Sequence, residues 1–444
     1  MSKLEHAIVV GAGIGGLAAA SALASHFEKI TVLERDELPN GSSPRSGVAQ
    51  SAQLHFLLQG GLAALCEIFP GLDLDLAIAG AVPIRYGLDD RRELPGFDPF
   101  PQFDFGVQGY AMSRPFVEQV IRQRINRLQN VTVRERCRAT DIMVARDGLV
   151  SGVTWEGANG SSETLRADLV IDASGRGALT LATLKSSGRS QPEQTTIGVD
   201  ILYATTVLTL PESSRDWKIV ITVPSLNEDT KAGALIPIEG GRWMAVVAEW
   251  HAETPVIDQS SFLKFTQCLR TPTIYDAIKG ATSFGRVERF GFPESYWRHF
   301  ERLDDFPQGL IPIGDAMCRF NPVYGQGMSV ALKEAALLKT LLDSRTCTES
   351  PLEELTSAFF TEASAVISTA WSMAAVPDLI VPKTRGERPA DLQALLKRQQ
   401  MLNQVAALDP EIYKVTQEIR HLVKPQSALH HPDIVRRLEG AFTG

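Results

Sequence analysis

Short apolar runs separated by glycine-rich turns set the rhythm of the N-terminal part of the chain. His6-Ala-Ile-Val-Val10 suits a buried parallel strand. An alanine-rich helix over residues 17–27 follows, and a second apolar strand over residues 30–33 ends at Glu34. Residues 167–172 and 309–315 repeat the short buried-strand pattern. A helix is predicted from Ser113 to about residue 128. A longer one spans about residues 328–343, with Val330, Leu332, Leu337, Leu338 and Leu341 at helical spacing. Between about residues 185 and 285 the period changes to two. Residues 195–210, 217–223, 231–238 and 242–250 read as strands of a mainly antiparallel sheet, with Gly240-Gly241 as a hairpin turn. Beyond residue 346 the pattern is helical, with Pro377, Pro382 and Pro389 as breaks and amphipathic stretches at residues 392–408 and 410–422. That tail could cap a cavity, pack on a second copy or touch a membrane surface. The fold class is α/β: a Rossmann-like domain, a mainly antiparallel sheet domain and a C-terminal helical region.

The turn after the first strand is Gly11-Ala-Gly-Ile-Gly-Gly16. In a strand–glycine–helix–strand context this is the dinucleotide fingerprint. Gly11 allows the tight turn, Gly13 lets backbone approach a pyrophosphate, and Gly16 lets the helix pack closely on the sheet. Ala12 lies between them. The helix N-terminus offers free N–H groups and a positive dipole end. Glu34 falls 18 residues beyond Gly16, where a carboxylate accepts from ribose hydroxyls and repels a 2′-phosphate. The site therefore suits FAD or NAD better than NADP. A second cluster, Gly325-Gln-Gly-Met-Ser329, opens another helix, behind a strand that ends in Gly314-Asp315.

Composition removes several alternatives. Lys and Arg total 44 against 52 Asp and Glu, a net charge of −8, which gives nucleic acid no electrostatic support. The five cysteines, at positions 66, 137, 268, 318 and 347, are scattered, so a disulfide scaffold or zinc site is not expected and a reducing, cytoplasmic setting fits. No run is apolar enough for a membrane span, and the N-terminal apolar stretch reads as a strand rather than as an address.

Several motifs resemble those of the para-hydroxybenzoate hydroxylase type of FAD-dependent monooxygenases, over about residues 5–385. They are Gly11–Gly16, Arg45-Ser-Gly-Val-Ala-Gln50, Ser113-Arg-Pro-Phe116, Asp172-Ala-Ser-Gly175 and the Asp315 to Met328 segment. Within that family the chain is most similar to the bacterial polyene epoxidases of polyether biosynthesis, such as the lasalocid epoxidase. His55-Phe-Leu-Leu58, Gly60-Gly61, Phe69-Pro-Gly71 and Phe320-Asn-Pro-Val-Tyr-Gly325 carry that likeness. Relatives have a basic or histidine residue between Gln50 and His55; here the segment is Ser51-Ala-Gln53.

The resemblance implies FAD held by Gly11, Ala12, Gly13, Gly16, Glu34, Arg35, Arg45, Arg114, Asp172, Gly175, Asp315, Gly325, Gly327 and Met328. Arg45 and Arg114 would meet phosphate or flavin, Asp315 a ribityl hydroxyl, and Gly325–Met328 the pyrimidine edge. His55 is either a flavin contact or a satisfied helix histidine, and Arg176 is a candidate for nicotinamide contact. The FAD domain is expected in three pieces, 1–80, 105–185 and 285–345. Residues 81–104 would add a strand pair to the sheet domain of 186–284, and 346–444 form the tail. The implied reaction takes electrons from NAD(P)H, directly or through a separate flavin reductase. One atom of O2 then enters a small hydrophobic substrate through a flavin C4a-hydroperoxide, as epoxidation or hydroxylation. That chemistry needs no obligatory nucleophile and no metal, so the motifs name no catalytic side chain. A second dinucleotide fingerprint and a redox cysteine pair are both missing, which excludes the disulfide-reductase type. The tryptophan motif of flavin halogenases is absent as well. The alternatives are a reductase of the geranylgeranyl-reductase kind and a non-enzymatic prenyl-binding escort protein.

Overall fold

The structure, a computed structural model, describes residues 3–45, 48, 50–213 and 215–443. Ser46, Gly47 and Ala49 of the arginine segment lie outside the described residues. Five parallel strands form the first sheet, in the order Leu310–Pro312, Leu169–Asp172, Leu4–Val10, Phe27–Leu33, Val131–Arg134. The inner strands are buried on both faces, which is why their apolar runs do not alternate. The first helix is Ile14–Leu23, not 17–27. It starts at the glycine turn, and Phe27 already belongs to the next strand, paired with Leu4 and fully buried. Alanines on nearly every side let this helix pack closely against the helix Gly327–Ser344.

The second sheet has eight strands. Its main path runs Cys318–Arg319, Glu288–Arg298, Gln194–Thr209, Arg242–Trp250, Lys231–Ile238, Ile219–Thr222, Asp90–Glu93, and Ser283–Phe284 pairs on the side of Gln194–Thr209. Every pairing is antiparallel except that of Ile219–Thr222 with Asp90–Glu93. The strand pair expected between residues 80 and 105 is divided. Asp90–Glu93 joins this sheet, whereas Val82–Arg85 pairs with Gln108–Ala111 in a separate ribbon. The turn between them explains the split. Gly87 has a φ of 83°, and Asp89 accepts the Arg85 N–H at 2.8 Å, so the chain reverses before a hairpin can form. A third sheet, Arg138–Val144, Val150–Glu156 and Ser162–Arg166, was not legible as such.

Gln194–Thr209 separates two environments by its alternation. Ile201 and Tyr203 pack with Trp250, Phe292 and the end of the helix Leu355–Asp378. Ala204 and Leu208 face the other way, under the helices Gln259–Gln267 and Thr273–Ile278. The C-terminal helices Leu392–Ala406, Pro410–Arg420 and Pro432–Thr443 close over Leu94, Phe100 and Phe103. They are latched to the first domain where the Gly60 N–H donates to the His421 carbonyl at 2.8 Å and Lys333 Nζ donates to that of Leu422 at 3.0 Å. A Cβ on Gly60 would sit 2.3 Å from the Leu422 oxygen, so only glycine permits this contact. Among the described residues no helix is long and apolar enough to cross a membrane.

Candidate active site

The first glycine cluster divides its work by space. Gly11 has a φ of 102°, and a Cβ there would lie 2.5 Å from the Ala173 oxygen. A Cβ on Gly16 would lie 1.9 Å from the Gly11 oxygen, so it serves the helix–strand approach. Gly13 is different: a Cβ would meet only Arg45 Nη2, at 3.9 Å. Nothing in the protein forbids a side chain there, which leaves room for a ligand as the reason for glycine. Gly13 is also the N-cap of Ile14–Leu23 and supplies no side-chain acceptor, so the first N–H groups of the helix stay available.

Glu34 ends the neighbouring strand and is buried. Its Oε2 accepts from the Ala12 N–H at 2.7 Å and from Arg45 Nη1 at 3.1 Å; Oε1 accepts from the Asp36 N–H at 3.0 Å. Arg35 turns outward, its side chain 61% exposed. Arg45 is no solvated loop residue: its guanidinium is buried between Glu34 and Glu118, 3.4 Å from Glu118 Oε2, yet its Nε–H makes no hydrogen bond. Glu118 is also buried and holds Arg114 Nε at 2.9 Å, with Arg122 Nη1 3.9 Å away. Arg114 Nη1 donates to His55 Nε2 at 3.2 Å, and His55 Nδ1 donates to the Gln53 carbonyl at 2.8 Å. A guanidinium has no acceptor, so the proton of the ring must sit on Nδ1. Burial, then the Arg114 charge, pushes the His55 pKa down to about 3, which keeps the ring neutral. His55 lies in a loop before the helix Gln59–Ile68, not within a helix. Three guanidiniums therefore surround two carboxylates, and the surplus positive charge suits an anionic ligand. Sequence reasoning missed Glu118; its signal was the i,i+4 spacing from Arg114 on the helix Arg114–Ile125.

At the other end, the strand Leu310–Pro312 leads into a tight turn, Gly314–Ala316. The Gly314 N–H donates to Glu334 Oε2 at 2.6 Å from below, and Asp315 is presented above. The Asp315 carboxylate accepts no hydrogen bond from the described residues; Arg319 Nε is 4.0 Å away. Burial raises its pKa, against the pull of Arg319 and Arg114. The following loop is held by Asn321. Its Oδ1 accepts from Tyr203 OH at 2.7 Å and the Val323 N–H at 3.2 Å; its Nδ2 donates to Asp378 Oδ1 at 2.9 Å. Asp378 also accepts from Trp250 Nε1 at 3.1 Å and Tyr324 OH at 2.9 Å. No motif pointed to Asp378, because its partners come from two distant segments, the strand ending at Trp250 and the loop of Asn321 and Tyr324. Gly325, at φ 68°, closes the loop, and the helix Gly327–Ser344 begins without a side-chain cap. A Cβ on Gly327 would meet nothing within 4 Å. Met328 lines a cavity of about 10 Å³ with His55, Phe56, Arg114 and Ile236.

Two expected residues play another part. Asp172 is fully buried and spends both oxygens inside the chain. It accepts from the Ser174 N–H at 3.1 Å and Oγ at 2.6 Å, and from the Thr180 N–H at 3.1 Å and Oγ1 at 2.6 Å. It shapes the turn and has no acceptor left for a ligand. Gly175 has a φ of 99° with open space around it, which fits the same turn.

The two glycine clusters meet: a Cβ on Gly15 would lie 3.3 Å from that of Ala331, one turn into the second helix. Two helix starts without side-chain caps therefore lie side by side, next to the arginine chain. Gly13 and Gly327 stand open, and the buried Arg45 Nε and Gln326 Oε1 lack partners. These residues fit a long dinucleotide with a central pyrophosphate. Among the described residues no group of three or more His, Cys, Asp or Glu could hold a metal.

Residues 5–370 match the family described as FAD binding domain. Protein Rv3254 of Mycobacterium tuberculosis is 31% identical over 352 residues, covering 77% of this chain and 73% of that protein. Squalene monooxygenase 1,1 of Brassica napus is 24% identical over 76% of this chain; the alignment spans 62% of its own length, short of two thirds. The fold is shared with p-nitrophenol 4-monooxygenase PnpA from Pseudomonas putida (TM-score 0.66, 18% identity, 96% of this chain and 100% of that one). It is shared too with the flavin-dependent brominase Bmp2 (TM-score 0.67, 13% identity, 99% and 98%). The family match over residues 5–370, with the glycine turns and buried arginines described above, places this chain in the family described as FAD binding domain, as an FAD-dependent oxidoreductase.

Proposed function

We propose that the protein is a monooxygenase that places one oxygen atom of O2 on a hydrophobic substrate, by epoxidation of an alkene or hydroxylation of an aromatic ring. The observation that carries this reading is the pair of adjoining helix starts without side-chain caps, with buried arginines and an apolar wall beside them. Phe56, Ile236, Ile238 and Met244 belong to that wall. In this reading Gly11–Gly16 and Ala12 take the pyrophosphate of FAD, and Glu34 takes the adenosine ribose. Arg45 and Arg114 neutralise the phosphates, Asp315 accepts from the ribityl chain, and Gly325–Met328 face the pyrimidine edge. Arg35 lies at the outer rim, and Asp172 and Gly175 act through the turn that supports Gly11. FAD supplies the redox chemistry when bound. The chain's own residues orient it. NAD(P)H is the electron donor, bound transiently or replaced by a separate flavin reductase, since one dinucleotide fingerprint is present. The squalene epoxidases among the relatives favour a polyene or terpenoid alkene over a phenol. They also support the likeness to polyene epoxidases.

The test loads the purified chain with FAD and measures NAD(P)H oxidation against polyenes, terpenoids and phenols under isotopically labelled dioxygen. One labelled oxygen in the product is expected. A product that gains hydrogen and carries no label would replace this reading with the reductase.

A further inference from the structure

An open cavity lies on the face of the sheet turned away from the proposed flavin site. It measures about 180 Å³. Its place follows from strand register. Leu202 pairs with Glu249 and Gly291, and Ala204 with Val247 and Arg289, so these six positions share one face of the sheet. The alternate residues point the other way: Tyr203 to Asn321 and Thr205 to Gln53, which are the cofactor loops. The cavity is therefore separated from the proposed flavin site by the thickness of the sheet.

The cleft is built from size differences. Ala204, Gly291 and Ala252 leave its floor low, and Leu202, Val256 and Phe265 form its walls. A Cβ on Gly291 would touch only Leu202 Cδ2, at 3.7 Å, so any larger residue would grow into the cleft. Leu202 stays 39% exposed within a strand whose other apolar residues are mostly covered. The two charges at the cleft differ. Glu249 is neutralised by Lys231 Nζ at 3.0 Å, whereas the Arg289 guanidinium has no ion pair or hydrogen bond among the described residues. An apolar pocket with one convergent polar group is the usual form of a small-ligand site.

We propose that this cleft is a second ligand site, for a small amphiphilic monocarboxylate whose chain lies along Leu202, Val247 and Phe265 and whose head meets Arg289. The site is independent of the monooxygenase reading. It is tested by titrating octanoate into the FAD-loaded full chain by calorimetry, with octanol as the uncharged counterpart. Octanoate binds at one site with a dissociation constant below about 1 mM, and octanol binds at least about tenfold more weakly. Arg289→Ala, a change at an exposed position, removes the preference for the carboxylate. Val247→Trp fills the cleft and abolishes binding, and both variants retain FAD. Equal affinity for acid and alcohol, no binding at several millimolar, or octanoate binding unchanged in both variants would each overturn the proposal. The last outcome would place the ligand at a different site.

Discussion

Glu334 gives the most direct test of how the second half of the site is supported. It sits on the helix Gly327–Ser344 with no exposed surface, and its Oε2 accepts the Gly314 N–H that carries Asp315. Its other oxygen has no hydrogen-bond partner. Burial, reinforced by the nearby Asp315 charge and opposed by the Gly314 N–H, pushes its pKa from 4.5 up to about 8. At neutral pH the group is therefore a neutral acid. The folded state then holds a proton that the unfolded chain releases above pH 4.5, so stability from this group is complete below that pH and is lost as pH rises through about 8. At about 1.4 kcal/mol per pH unit the whole displacement amounts to about 5 kcal/mol, and the interval from about pH 6 to 8 to about 3 kcal/mol. Glu334→Gln keeps an oxygen for the Gly314 N–H and removes the titration. The assay is urea denaturation of wild type and variant, without added FAD, at pH 6 and 8.5. Wild type should lose about 3 kcal/mol more than the variant between the two. Parallel pH profiles would refute the assignment of a buried proton to Glu334.

The other predictions follow from the same geometry. Gly16→Ala should destabilise the protein even without FAD, because its Cβ would collide with the Gly11 oxygen at 1.9 Å; Gly13→Ala should leave thermal stability nearly unchanged and weaken FAD binding. Equal melting losses in the two variants would contradict this division of roles. Asp315→Ala should weaken FAD by about tenfold in equilibrium dialysis, the value of one lost charge-assisted hydrogen bond of about 1.4 kcal/mol. Unchanged affinity would undercut the role of the second glycine cluster. Glu118→Gln leaves Arg45, Arg114 and Arg122 crowded around a neutral group and should cost about 3 kcal/mol of stability. Added FAD, by bringing the pyrophosphate charge, should raise the melting temperature of this variant more than that of wild type.

The first glycine cluster was legible because its constraints are local. The tight turn, the close helix and the carboxylate 18 residues on are all fixed by spacing within one β-α-β unit. The helix start was misplaced by three residues because apolar periodicity does not mark where a glycine turn becomes helical. The divided strands at residues 82–93 were also hidden. Two short runs, Val-Pro-Ile-Arg and Asp-Arg-Arg-Glu, pair with different sheets, and the Gly87 turn and the positions of distant strands decide which.

Site residues divide in the same way. Glu34, Asp315 and the glycines could be found from neighbours in sequence. Asp172 was read from its motif, yet four donors within eight residues consume its oxygens. Asp378 is defined by partners far away in the chain, and Glu118 joins two neighbours on its own helix to the distant Arg45.

By itself the sequence determined the nucleotide-binding unit, the antiparallel texture of residues 195–250 and the helical tail, since each rests on short-range pattern and backbone sterics. The tertiary structure alone decided which charges lose water together. It buried Arg45 and Arg114 around Glu118, fixed the proton of His55, and protonated Glu334 under Asp315. Desolvation and pairing depend on what the whole chain brings to one place, and no spacing along the sequence encodes that distance.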